Sequence, residues 1–211
     1  MIWSVFEQAS CLPSSCGCEH VDLSHWIRQV SNFYSSFFYI IPAFIFPVRS
    51  WVMLCVLMTS SSLLAHASFV QFIMAFDFTA IIMLITYFPL LFILSQWRKV
   101  RGWLLLFIYS LTFLAMSELS KWPKIILCIF IFLFSLFSHH QFLSFHLGNR
   151  WAGRTLLSLG IGFLFFFVDE LKFLCDPRGL FQFHGVWHFM TALALSCYGK
   201  WILERRKLFG I

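Results

Sequence analysis

Apolar runs long enough to cross a lipid bilayer recur along the whole chain, and nothing else in the sequence constrains the fold as much. A helix needs about 20 mostly apolar residues to span a ~30 Å hydrocarbon core. Seven such segments follow a polar start, at about 28–48, 51–72, 77–97, 102–118, 123–138, 152–170 and 184–203, the fifth of them short. Charged residues make up only 11% of the 211, where a soluble domain of this length carries about twice that share. The expected fold is all-α: one integral membrane domain over 1–211, a seven-transmembrane helix bundle. Residues 1–27 form a segment outside the membrane and 204–211 a short tail. The first ten residues hold neither a basic stretch nor an apolar core, so no cleavable signal is expected.

A net charge of +6 invites a nucleic-acid reading. The Lys and Arg residues, however, are dispersed in short loops between apolar runs, which is the positive-inside pattern of a membrane protein. With the N-terminus outside, ten fall inside: Arg49, Arg98, Lys99, Arg101, Arg150, Arg154, Lys200, Arg205, Arg206 and Lys207. Five fall outside: Arg28, Lys121, Lys124, Lys172 and Arg178. Seven spans then place the C-terminus inside. No nucleic-acid partner is expected.

This orientation sorts the polar residues by depth. Ser62 and His66 lie in the outer half of the second span, and Asp77 heads the third. Asp169 and Glu170 close the sixth, and His184 and His188 open the seventh. All of them converge on one level near the outer face. His139, His140 and His146 sit in an inside loop, on the wrong face to join them.

His184 and His188, four residues apart, share one helix face, as do Ser62 and His66. A lone His in a span is more often a helix–helix hydrogen-bonding residue than a ligand, and the Met and Phe stripes are packing or lipid-facing residues. Three histidines from two helices at one depth are different. Three neutral imidazoles with an open position make a catalytic zinc site, one zinc per chain. Zinc there lowers the pKa of water to roughly 7, which suits attack on a carbonyl carbon. A carboxylate at membrane depth costs about 2.5–3.5 kcal/mol on insertion scales and is usually paired or put to use, so Asp77 is the candidate base. Ser62 is the candidate donor to an oxyanion.

Cys55, Cys128 and Cys197 lie within spans, where a small apolar role is the default. Cys11, Cys16, Cys18 and Cys175 lie on the outer side. Four thiols there allow two disulfides with three connectivities, or a second zinc.

The pattern Ser62-x-x-x-His66, then Asp77 eleven residues after that His, then Phe183-His184-x-x-Trp187-His188, resembles the alkaline ceramidases. These belong to a superfamily of seven-span membrane hydrolases that includes adiponectin- and progestin-type receptors. Cys18-Glu19 resembles the family's Cys-Glu pair before the first span. Ser31-Asn32 resembles the Ser-Asn near the start of that span, and Asp169 the Asp closing the sixth. The resemblance runs from about residue 16 to 200. It implies a zinc-dependent amidase that cuts ceramide into a long-chain base and a fatty acid. His66, His184 and His188 would be the zinc ligands, Asp77 the base and proton shuttle, and Ser62 the oxyanion stabiliser. Glu19 and Asp169 would take supporting roles. The resemblance also suggests a Cys18–Cys175 disulfide over the site, leaving Cys11 to pair with Cys16.

The animal enzymes hold calcium with an acidic cluster around the Cys-Glu pair. Here Glu19 remains and Asp22 is near, but His20 and His25 stand where acids or amides would be expected. Calcium needs six to eight oxygen ligands, so calcium regulation is not expected. The loop 175–183 is short, as in bacterial members. The expected partner is a ceramide-like membrane lipid, with no obligate protein partner. The compartment is a bacterial inner membrane or an organelle membrane such as the ER or Golgi. Three other readings stand beside this one. The first is a receptor or lipase of the same superfamily, although in the receptors the Asp lies farther past the first His. The second is a non-catalytic bundle tied by a structural metal, which would show a fourth protein ligand. The third is a light-sensing protein, whose lysine could only be Lys200, near the inner end of the last span.

Overall fold

The structure, a computed structural model, describes residues 17–94, 99–119, 123–131, 133–134, 149–179 and 181–204. The fold is all-α, with no strand among the described residues. Helices lie at Val30–Ser35 (α1), Ile41–Ile45 (α2), Arg49–Ser68 (α3), Gln71–Ile93 (α4), Arg101–Glu118 (α5), 123–131 (α6), Arg150–Glu170 (α7) and Phe183–Glu204 (α8). Cys11, Cys16, His139, His140, His146, Arg98, Lys121, Arg205, Arg206 and Lys207 lie outside the described residues.

The first expected segment is not one helix. A 3-10 turn, Ser36–Ile40, separates α1 from α2. The hydroxyls of Ser35 and Ser36 both donate back to the Asn32 carbonyl, at 3.0 and 2.8 Å. Such back-bonding competes with the regular helical ladder and bends it. Pro42 then falls in the first turn of α2, where its missing N–H costs nothing. Pro47 ends α2 by holding Phe46 out of the helical region, at φ −129° and ψ 82°.

α3 and α4 form a tight antiparallel hairpin. Phe69 takes the left-handed conformation, φ 51°, and donates its N–H to the Ala65 carbonyl at 3.0 Å. Only residues 69 and 70 separate the two helices, so α4 begins six residues before the expected start at 77. Asp77 therefore lies in the second turn of α4 rather than at its head. Gln71 fastens that head to the end of α5 by donating to the Ser117 carbonyl at 3.2 Å.

α8 packs along α7 and against the first segment. Asn149 caps α7, its side chain accepting from the N–H groups of Trp151 and Ala152. The main core lies between α2, α3 and α8, where Phe46, Trp51, Met58, Tyr198, Trp201 and Ile202 are buried. Two glycines let backbones close on aromatic rings. A Cβ on Gly162 would meet Trp187 at 3.0 Å, and one on Gly199 would meet the Phe46 Cβ at 2.9 Å.

Among the described residues two helices, α3 and α7, are long and apolar enough to cross a membrane, at 20 and 21 residues. Large apolar side chains also face outward, among them Phe44, Met53, Trp103 and Leu164. Gly199→Ala should destabilise the protein by about 1–3 kcal/mol, because Phe46 is fully buried and has little room to yield. Thermal unfolding in detergent, followed by circular dichroism, reads this as a lowered midpoint.

Candidate metal centre

The three histidines singled out from the sequence come together. His66 stands in the last turn of α3, and His184 and His188 in the first two turns of α8. Their ring centroids are 5.1 Å (His66–His184), 5.2 Å (His66–His188) and 4.7 Å (His184–His188) apart. One ligand atom from each lies within 4.8 Å of the other two, so the group could hold one metal ion. Among the described residues no other set of three or more His, Cys, Asp or Glu does so.

The outward nitrogens decide which atoms face inward. His66 Nδ1 is 3.0 Å from Gln29 Oε1. That oxygen also accepts from Asn32 Nδ2 at 3.1 Å, while Gln29 Nε2 donates to the Glu19 carbonyl at 3.2 Å. Both ends of the Gln29 amide are thus satisfied in one orientation only, with Oε1 toward His66 as an acceptor. His188 Nδ1 is 2.9 Å from Ser35 Oγ. The single proton of Ser35 goes to the Asn32 carbonyl, so Ser35 accepts from His188. His184 Nδ1 faces Asp169 Oδ2 at 3.7 Å. With Nδ1 of His66 and of His188 taken up by Gln29 and Ser35, Nε2 is the nitrogen each ring has left for an ion, and His184 Nδ1 faces a carboxylate. Ligating histidines are usually held this way, since the outer acceptor sets both tautomer and ring orientation. The donor set of neutral imidazoles fits zinc, among other divalent transition metals.

Asp77 is held by Ser61, whose Oγ lies 3.1 Å from Asp77 Oδ1 and 3.0 Å from the Met58 carbonyl. A hydroxyl has one proton. When Asp77 is ionised, Ser61 donates to it. When Asp77 is protonated, Ser61 turns to Met58 and accepts from Asp77. The pair accommodates either state without moving a heavy atom. Ser62 is buried with its Oγ 2.9 Å from Ser36 Oγ. Ser36 spends its proton on Asn32, so Ser62 is the donor in that contact.

Above the histidines the N-terminal segment folds across the α7–α8 loop. Cys18 and Cys175 form a disulfide, the pairing that the sequence resemblance suggested. His20 N–H donates to the Pro177 carbonyl at 2.8 Å. Glu19 accepts from the backbone N–H groups of Ser31 and Asn32, at 2.7 and 2.9 Å, so the Cys-Glu and Ser-Asn pairs noted in the sequence meet here. Burial pushes the Glu19 carboxyl above its usual range, and those two N–H groups pull the other way. Asp22 lies apart, and hydrogen bonds from Ser24 and His25 draw its carboxyl down to about 2.

Gln29, Ser35, Ser36 and Ser61 went unmarked in the sequence. Ser61 sits in the run Thr59-Ser60-Ser61-Ser62, and so many hydroxyls in an apolar segment were its signal. Gln29 and Ser35 had none beyond polarity near the expected depth of the site.

No protein-family model, curated protein or solved structure matches this chain.

His188→Ala removes one of the three imidazoles that could hold an ion. The purified variant should lose its bound metal, read by elemental analysis beside wild type and normalised to folded protein.

Proposed function

We propose that this chain is a multi-span membrane amidase, dependent on zinc, which hydrolyses ceramide or a related N-acyl lipid to a long-chain base and a fatty acid. One observation carries the reading: three histidines from two helices, two buried and His184 half-buried, bring one ligand atom each within 4.8 Å of the others, with Nδ1 of His66 and of His188 at outer hydrogen-bond partners. The resemblance of Ser62, His66, Asp77, His184 and His188 to the alkaline ceramidase pattern supplies the reaction. The bundle is read as seven spans with the N-terminus outside. Two features support a membrane setting. Only 22% of the apolar stretch of α7 is buried, where a core helix of a soluble protein would be mostly enclosed. The basic residues also divide ten to five in favour of the inner side. The host membrane is a bacterial inner membrane or that of an organelle, with the site near its outer or lumenal face.

His66, His184 and His188 would hold the zinc ion, which would supply Lewis acidity for the amide carbonyl and bring the pKa of water near 7. The chain does the rest. Asp77 takes a proton from the attacking water on Oδ2, since Oδ1 is engaged by Ser61. As the C–N bond breaks, Asp77 returns that proton to the leaving nitrogen, while Ser61 keeps its hydrogen bond to Oδ1 and holds the carboxyl in place. Ser62 turns its O–H from Ser36 to the oxygen that gains charge at the carbonyl. The apolar interior excludes bulk water and receives the acyl chain from the lipid phase.

The test measures zinc content and fatty-acid release from ceramide on one purified sample. About one zinc per chain with zinc-dependent release is expected. Asp77→Asn should keep the metal and lower kcat by about 10²–10⁴-fold, the usual contribution of a general acid–base group. Full activity in Asp77→Asn would remove it from the mechanism. Zinc without hydrolysis of ceramide or other N-acyl lipids would end the amidase reading.

A further inference from the structure

We infer that the Cys18–Glu19 dipeptide positions all three histidines and thereby sets how tightly the centre holds its metal, an inference that rests on the metal-centre reading above. Three paths leave these two residues and each ends on a different imidazole, one through hydrogen bonds alone, one through the Asn32 backbone and one on a 3.7 Å carboxylate–imidazole contact. The Cys18 N–H donates to Asp169 Oδ2 at 3.3 Å, and the same oxygen faces His184 Nδ1. The Glu19 carbonyl accepts from Gln29 Nε2, whose amide oxygen accepts from His66 Nδ1. The Glu19 carboxylate accepts from the Asn32 N–H. The carbonyl of Asn32 accepts from Ser35, and Ser35 accepts from His188 Nδ1.

The ligands themselves sit on α3 and α8, while their outer acceptors come from α7, α1 and the residue before α1. Those three elements meet at the dipeptide. It is anchored from outside by the disulfide to Cys175 and by the neighbouring His20–Pro177 hydrogen bond. Gly17 lets it approach: its φ is +88°, and a Cβ there would meet Asp169 Oδ2 at 2.5 Å. Outer acceptors matter because they fix the ring plane and keep the proton off the ligating nitrogen. Losing one typically weakens metal affinity by about 10–100-fold.

A purely structural role would lower stability and leave the affinity of folded protein alone. The experiment separates the two. Zinc affinity is measured by competition with a chromophoric chelator on the full chain in detergent, beside thermal unfolding of the metal-free protein. Glu19→Ala should bind zinc about 10–100-fold more weakly, and Glu19→Gln should fall between it and wild type because it keeps one acceptor oxygen. Asp22→Asn alters an exposed carboxylate nearby that bonds Ser24 and His25 and has no path to His66, His184 or His188, and should bind as wild type does. Wild-type affinity in Glu19→Ala with a lowered unfolding temperature would overturn the inference, as would an equal loss in Asp22→Asn. Should Glu19→Ala not fold, the folded wild-type protein is treated with a phosphine. The phosphine is oxidised to its oxide with water as the oxygen source, and the disulfide becomes two thiols. Weaker zinc binding is expected, and unchanged affinity overturns the inference. Wild type that binds no zinc fails the metal-centre reading itself, and the inference with it.

Discussion

An imidazole placed in an apolar interior brings an N–H that must find an acceptor, and much of this structure answers that demand three times over. A buried donor without a partner costs about 1–3 kcal/mol. Gln29, Ser35 and Asp169 meet the three N–H groups, and each is in turn held by a second contact. The broken course of the first segment follows from this. Ser35 serves His188 because its own proton is turned back on Asn32, and that same back-bond helps break the helix into α1, a 3-10 turn and α2.

The separation between the metal ligands and Asp77 has a different origin. His66 and Asp77 sit on either side of a two-residue turn, so the α3–α4 hairpin fixes one relative to the other through a short stretch of backbone. The left-handed Phe69 is the local cost of that tightness. It is tolerated because the ring is buried beside His66, with centroids 6.4 Å apart. A non-glycine residue in this region is uncommon and persists where its surroundings hold it.

The helical class and the histidine triad were legible in the sequence because both rest on spacing. Apolar runs of helical length announce helices, and His184 with His188 share a face whatever surrounds them. Depth along a span brought His66 to the same level. The outer shell was not legible, since Gln29 and Ser35 act through contacts between segments far apart in sequence. His188 and Ser35 are separated by 153 residues. The start of α4 was misjudged because the sequence 69–76 is apolar enough to read as the tail of one span or the head of the next. Only the αL turn at Phe69 decides between them. Ser62 was read from its place on the His66 face, but its neighbour Ser61 is the hydroxyl that touches Asp77.

Taken as a path in space, the chain is a ring. The disulfide joins residues 157 apart in sequence, and every group given a role at the centre lies close to that clasp: residues 18–77 on one side, 169–188 on the other. α5 and α6 lie on the long arc between, and none of the histidines comes from them. The arc and the clasp are therefore two independent ways of keeping the halves together. A cut in the arc would leave two polypeptides still tethered beside the histidines, and a cut in the clasp would leave one polypeptide whose two ends still pack through α2, α3 and α8. The backbone and the clasp thus each join the segments that carry the histidines, one by way of the arc and one beside the site.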